Sequence, residues 1–435
     1  MSDSAPQTPQ ESGSEAVFTP DAAPDRLEAY PGQAESLLLR ILNQAGARRV
    51  LSAAAPDLGL AEQRPFPFLA LVGQEEMRIA LLLAVINPAV SGVLLIGPRG
   101  TGKTTAVRSL TELLPDTEVS DMDDGALAAD MGHPSARTLY PESHERWARG
   151  EAISHYEPVK LVELPLNARL EDVVGGVNER VAAQQNRVRL ERGILSRADG
   201  NLLYIDEVNL LSDPIIDAIL DAAAQGHYTV RRGAMAGTYR ARFVLIGSMN
   251  PEEGRLRPQI LDRFGLRVNV RGLLDARDRL EVYHRVRAYR QNAAAFVHAW
   301  ALTTADFRDR LADARRAVAA IDLGDEVLAL GMSLIGRLDI DSHRAEYTLF
   351  EAARAYAAAD GRTAATHADL RVVAPLALRQ RRSAFMTQFF EASAEEDAEI
   401  RGHFDTLTTE KPKRKRQRAS TKASGSGPQH SGEAS

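Results

Sequence analysis

The sequence has no cysteine among its 435 residues, which excludes disulfides, thiolate metal sites and a cysteine nucleophile and fits a reducing compartment. No apolar run approaches the roughly 18 residues of a membrane span, and the mean hydropathy of -0.25 agrees. Residues 1–30, rich in Ser, Pro, Asp and Glu, have neither the basic start nor the apolar stretch of a secretory signal, so a cytoplasmic protein is expected. Charge of one sign is also scarce. The 53 Lys and Arg against 59 Asp and Glu leave a net charge of -6, so nothing global draws the chain to nucleic acid. The 44% hydrophobic and 26% charged residues are those of a globular protein, and the length exceeds what one core fills, so at least two domains are expected.

Composition divides the chain. Residues 1–30 are too poor in large apolar side chains to offset their ordering entropy and are expected to be disordered. A linker over 31–65 carries Leu37, Leu38, Leu39, Ile41 and Leu42, a short helix ending near Gly46. Over 66–275, β-rich runs (Val93 to Ile96, Leu202 to Ile205, Phe243 to Ile246, Leu266 to Val270) alternate with helical stretches. That is the pattern of an α/β domain with a mostly parallel sheet. Residues 276–395 are rich in Ala, Leu and Arg, with Val327, Leu330, Leu334 and Leu338 at helical spacing, and predict a smaller all-α domain. The tail 396–435, basic and then Ser- and Gly-rich, with six basic residues between Lys411 and Arg418, is expected to be disordered. Such a run is a solvated chain end or a nucleic-acid contact.

The chemistry begins where the strand Val93–Ile96 runs into Gly97-Pro-Arg99-Gly100-Thr101-Gly102-Lys103-Thr104 and then a helical stretch from Thr105. The glycines let backbone N–H groups wrap a phosphate, Lys103 can reach the β- and γ-phosphates, and Thr104 can ligate Mg²⁺. Leu202-Leu-Tyr-Ile-Asp206-Glu207 ends a strand in two carboxylates, Asp206 for Mg²⁺ and Glu207 to polarise the attacking water. The strand Phe243–Ile246 leads to Asn250, an amide able to sense the γ-phosphate. In Arg255-Leu-Arg257-Pro-Gln-Ile-Leu-Asp262-Arg263-Phe-Gly265, Arg263 is the arginine expected to meet the transferring phosphoryl group, with Arg255 and Arg257 as alternatives.

Together these segments resemble the AAA+ P-loop ATPases of the helix-2-insert group, specifically the I subunits of magnesium chelatase. The resemblance rests on Val72-Gly-Gln-Glu-Glu-Met77, Glu163-Leu-Pro-Leu-Asn-Ala168, Tyr204-Ile-Asp-Glu-Val-Asn-Leu-Leu211, Asn250-Pro-Glu-Glu-Gly254 and Leu256-Arg-Pro-Gln-Ile-Leu-Asp-Arg-Phe-Gly265. It spans about 66–275 and continues more weakly to about 385. It implies a homo-oligomeric ring, usually a hexamer, with ATP and Mg²⁺ between neighbours. Lys103, Thr104, Asp206, Glu207 and Asn250 then act from one subunit, and Arg263 reaches in from the next. It also implies Arg344 as the arginine of the second sensor helix and Gln74 beside the adenine. Residues 164–192 correspond to the insertion into helix 2, and 228–240 to a hairpin before the sensor strand.

The partners implied are a D-type subunit with an integrin-I-like domain and a porphyrin-binding H subunit. The reaction is Mg²⁺ insertion into protoporphyrin IX in chlorophyll or bacteriochlorophyll biosynthesis. The stretch 117–156 departs from the family; it lacks the cysteines often found there, and its His133, His144 and His155 lack the converging spacing of metal ligands. That departure leaves open a MoxR-like remodelling ATPase acting with a von Willebrand-type partner on another client.

Overall fold

A computed structural model describes residues 36–44, 64–122, 125–177, 190–232, 235–254, 256–382 and 384–409. The expected tail at 1–30, the basic run 411–418 and Arg255 lie outside the described residues. Five strands form the central sheet: β1 (Val93–Ile96), β2 (Leu161–Leu164), β3 (Leu202–Ile205), β4 (Val244–Met249) and β5 (Leu266–Asn269). All pair in parallel in the order β5-β1-β4-β3-β2, with Val93 opposite Ile246 on one side and Leu266 on the other. Parallel strands covered on both faces read as unbroken apolar runs, and β1, β3 and β4 are buried at every residue. Alternate side chains enter two cores: Val93, Leu95, Leu202 and Tyr204 line one, and Leu94, Ile96, Leu203 and Ile205 the other.

The helices that position the site are α1 (Leu37–Gln44), α2 (Glu75–Ile86), α3 (Lys103–Ser109), α4 (Asp213–Gln225) and α5 (Pro258–Arg263), followed by α6 (Ala276–Gln291), α7 (Ala293–Ala317), α8 (Gly324–Arg337), α9 (His343–Ala359) and α10 (His367–Leu378). Helix α2 is buried from Met77 to Ile86 because it is sandwiched: the first core also takes Phe296, Trp300, Leu349, Tyr356 and Val373 from the helical segment. The expected α/β region and the all-α region therefore share one core. The described residues up to Arg382 form one compact unit, and the helix Ala384–Thr409 belongs to another; it corrects the expected disordered tail over 396–409, where Ala and Glu, strong helix formers, continue the helix. None of the described helices is long and apolar enough to cross a membrane.

Two elements were not foreseen. Edge strand β2 is only four residues long, carries Glu163 and stops at Pro165, too short and too polar to stand out from a loop. The divergent stretch is also ordered. Thr117–Ser120 pairs antiparallel with Ser154–Glu157, and the segment between them closes over a small core of Ala126, Met131, Ala136 and Ile153. The family-implied hairpin is present as His227–Arg232 against Met235–Arg240. Part of the expected helix-2 insertion is an antiparallel pair, Gly175–Val177 with Leu190–Arg192, and residues 178–189 lie outside the described residues.

One glycine fixes how closely β5 approaches β1. Gly265 donates to the Ser91 carbonyl at 3.2 Å, and a Cβ there would sit 1.5 Å from the Val90 carbonyl oxygen. Gly265→Ala is expected to destabilise the fold by about 1–3 kcal/mol, read as a lowered melting temperature; an unchanged melt would show that the two segments separate freely.

Candidate active site

The phosphate loop leaves β1 at Gly97, whose N–H donates to the Met249 carbonyl at 3.0 Å. A Cβ at Gly97 would lie 2.0 Å from the Val270 carbonyl oxygen, so no larger residue fits between β4 and β5. Gly100 and Gly102 take φ of 78° and 86°, left-handed values that favour glycine; a Cβ at either would meet nothing within 4 Å, so backbone conformation and not space is what calls for glycine there. Thr101 Oγ1 closes the turn on the Pro98 carbonyl at 3.1 Å. Lys103, only 9% exposed, lies along the loop and donates to the Gly97 and Pro98 carbonyls at 2.7 and 2.8 Å. Burial pushes its ammonium below the usual lysine range, opposed by Asp206, Glu207 and Glu253.

Thr104 and the strand-end carboxylates are joined by a residue that sequence reading placed only within an apolar strand. The Tyr204 hydroxyl lies 3.2 Å from Thr104 Oγ1 and donates to Asp206 Oδ1 at 2.9 Å. Ser248 Oγ, on β4, also donates to Asp206 Oδ1 and accepts the Glu207 N–H at 3.2 Å. Burial pushes the tyrosine up to about 12, so it remains a neutral donor. Thr104 and Asp206 thus present oxygen ligands side by side, the hard donor set that Mg²⁺ takes. Outer hydrogen-bond partners of metal ligands are worth about 10–100-fold in affinity or activity. Tyr204→Phe is therefore expected to raise the Mg²⁺ concentration for half-maximal ATP hydrolysis by about 10-fold or more without unfolding the chain; an unchanged Mg²⁺ dependence would remove the tyrosine from the site.

Glu207 adopts φ 56° and ψ 55°, a left-handed conformation that costs a non-glycine residue about 1–3 kcal/mol and is typical of functional sites. It swings the carboxylate to the phosphate loop, where Arg99 meets Glu207 Oε1 at 2.7 Å and Glu253 Oε1 at 2.7 Å. The bond it donates to Glu207 holds the exposed Arg99 guanidinium above its usual range. Asn250 follows Met249 directly, is 5% exposed, and accepts the Glu252 N–H at 3.3 Å. Thr105 lies on α3, one residue beyond Thr104. Gln74 caps α2 in a left-handed conformation and donates to the Arg271 carbonyl at 2.5 Å.

The other arginines are elsewhere. Arg263 pairs with Asp221 at 2.8 Å and Asp217 at 3.2 Å, both on α4. It lines a cleft with Ser91, Gly265, Tyr347 and Arg344, and Arg344 makes no ion pair among the described residues. Arg257, 69% exposed, pairs with Asp213 at 2.5 Å. Ser91 precedes β1 and Gly97 follows it, so the cleft and the phosphate loop stand at opposite ends of a four-residue strand that is itself about 10 Å long at ~3.3 Å per residue. Of the residues that sequence reading singled out, the structure brings the loop and the carboxylates together and places Arg263 and Arg344 in a separate cleft. Sequence reading missed Tyr204 and Ser248, which sit in apolar strands, and gave no role to Glu253, which lies within the Asn250–Gly254 string that carries the family resemblance.

Comparison with known proteins follows the same lines. The family model for magnesium chelatase, subunit ChlI, matches residues 68–138 and 181–259, and the AAA lid domain matches 330–401. The 38 kDa magnesium-chelatase subunit of Acidiphilium rubrum is 43% identical over 73% of this chain and 90% of its own length. The ChlI homolog of Methanocaldococcus jannaschii is 41% identical over 74% of this chain and 87% of its own. A chain of the complex between subunits BchI and BchD of magnesium chelatase, built on a single-particle cryo-EM reconstruction, is 38% identical, covering 74% of this chain and 97% of that one, at a TM-score of 0.42. With its parallel sheet, phosphate loop and helical lid, the chain belongs to the ChlI family of magnesium-chelatase subunits, within the AAA+ ATPases.

Proposed function

We propose that this chain is the ATP-hydrolysing motor subunit of a magnesium chelatase, acting as a ring in which each ATP site is completed by the neighbouring copy. The observation that carries the reading is the split just described. Lys103, Thr104, Asp206 and Glu207 gather at one end of β1, while Arg263 and Arg344 share a cleft at the other. One chain cannot bring both ends to one nucleotide; a head-to-tail neighbour can, and such contacts close into rings.

In this reading the loop N–H groups and Lys103 hold the ATP phosphates, with Gln74 beside the base. Thr104 and Asp206 are the residues that would hold Mg²⁺, which when bound neutralises phosphate charge as a Lewis acid. Glu207 takes up and orients the attacking water, Asn250 reads the γ-phosphate end, and Arg263 and Arg344 of the neighbour stabilise the charge that spreads over the phosphoryl oxygens. Residues 66–275 serve as the nucleotide-binding domain and 276–395 as the lid. Hydrolysis then drives, through a D-type subunit with an integrin-I-like domain, the dehydration and insertion of Mg²⁺ into protoporphyrin IX held by an H subunit. Mg²⁺ gives up its water reluctantly, and that is the step for which an ATP-driven machine is needed. The setting is the cytoplasm.

The MoxR-like alternative is not favoured, because relatives matched along most of their length are chelatase subunits. The test is Mg-protoporphyrin fluorescence with this chain, ATP, Mg²⁺, protoporphyrin and the D and H subunits of the same organism. Metal insertion that requires this chain supports the proposal; ATP hydrolysis with no insertion overturns the chelatase assignment.

A further inference from the structure

Arg381 is an arginine with its side chain fully buried, and no step above uses it. Just beyond α10, it donates to Asp262 Oδ1 at 2.6 Å, to the Phe264 and Gly265 carbonyls at 3.3 and 3.1 Å, and through Nε to the Ala377 carbonyl at 2.6 Å. Arg267 of β5, 1% exposed, donates to the Leu261 carbonyl at 2.5 Å and the Arg379 carbonyl at 2.9 Å, and stands 3.7 Å from Asp262. Carbonyls on both sides of Arg263 are therefore held by buried guanidiniums, and only the finger residue itself is left between them.

The same aspartate reaches the other arginine of the cleft. Ser342 Oγ donates to both Asp262 carboxylate oxygens at 3.1 Å. Ser342 is the N-cap residue of α9, where a serine hydroxyl ordinarily accepts a backbone N–H of the first turn; here it makes no such bond. Arg344 follows two residues later. Two buried guanidiniums against one carboxylate are an expensive way to fill space, since apolar residues of similar volume often stabilise as well or better. What the planar five-donor fork adds is fixed geometry.

We propose that Arg381, acting through Asp262 and Ser342, is a positioning residue that mounts Arg263 and Arg344 as one rigid pair for the nucleotide of the neighbouring copy. This rests on the shared-site reading above. A misplacement of about 1 Å in such a group costs about 10²-fold in rate, so Arg381→Met should lose about that much of the assembled ATPase turnover while binding a fluorescent ATP analogue as tightly as the wild type. Arg381→Lys keeps the charge but not the fork and should recover only part of the rate. Ser342→Ala removes one hydroxyl from a partly exposed residue, keeps the fold if Arg381→Met does not, and should lower kcat with KM unchanged.

Mixing separates positioning from folding. An Arg381→Met subunit keeps its nucleotide site and has displaced arginines; a Lys103→Ala subunit keeps its arginines and has no working nucleotide site. Equal mixing of these two inactive proteins should restore about a quarter of the wild-type rate, because random head-to-tail contacts pair the intact halves about that often. The control is Arg263→Ala mixed with Lys103→Ala. If the control is rescued and the Arg381→Met mixture is not, the positioning role is overturned and the shared site stands. If neither is rescued, the shared-site reading falls and the positioning role with it. Equal loss of analogue binding and turnover in both Arg381→Met and Ser342→Ala would also overturn the proposal.

Discussion

Glu207→Gln is expected to bind ATP with wild-type affinity and to hydrolyse it about 10²–10⁴-fold more slowly, the range for losing a general base. The amide retains the size of the carboxylate and an oxygen to accept from Arg99, which now contacts Oε1 from both Nε at 3.1 Å and its terminal nitrogen at 2.7 Å. The local fold and its left-handed backbone should therefore survive. What disappears is the negative charge proposed to take the water's proton. Rings of the variant should accumulate bound ATP, and in the reconstituted system metal insertion should stop. Turnover within a few-fold of wild type would remove Glu207 from the chemistry and shift attention to Glu253, its neighbour across Arg99.

Arg263→Ala should separate binding from turnover more sharply. In the proposed arrangement the arginine serves the neighbour's nucleotide and not that of its own chain, so ATP affinity of the isolated subunit should not change. Its present partners, Asp217 and Asp221, are about half exposed, and exposed pairs are worth about 0–1 kcal/mol; the finger gives them up at little cost for a phosphate. An arginine supplied to the phosphoryl transition state is worth about 10³–10⁵ in rate, and the loss should fall entirely on kcat. A normal rate would move the role to Arg257, held by Asp213 at 2.5 Å, or to Arg255.

Much of this was legible in the sequence because the residues proposed for phosphoryl transfer are tied to strand ends, and short buried strands are easy to read. Val93–Ile96 and Leu202–Ile205 are unbroken apolar runs ending in glycines or carboxylates. The nucleotide side therefore followed from pattern alone, and the α/β sheet with its helical lid is the fold observed. Tyr204 was hidden for the same reason: an aromatic in an apolar strand reads as core, and only the register that puts its hydroxyl between Thr104 and Asp206 reveals a second role. Arg381 and Ser342 could not be found from pattern. Their partner Asp262 is 119 and 80 residues away in sequence, and contacts at that separation leave no local periodicity. The arginine cleft was legible as residues but not as a place, since nothing in the order of the chain says that Arg263 and Arg344 lie at the end of β1 opposite the phosphate loop.

The central claim is that one ATP site is built from two copies of the chain. It is tested most directly by measuring ATP turnover per chain against protein concentration, with the assembled mass followed by light scattering in the same samples. The account predicts turnover that rises with assembly, is near zero in the dissociated subunit even with ATP bound, and stays near zero for Arg263→Ala in the assembled state. Full turnover by the dissociated subunit, unaffected by Arg263→Ala, would contradict it.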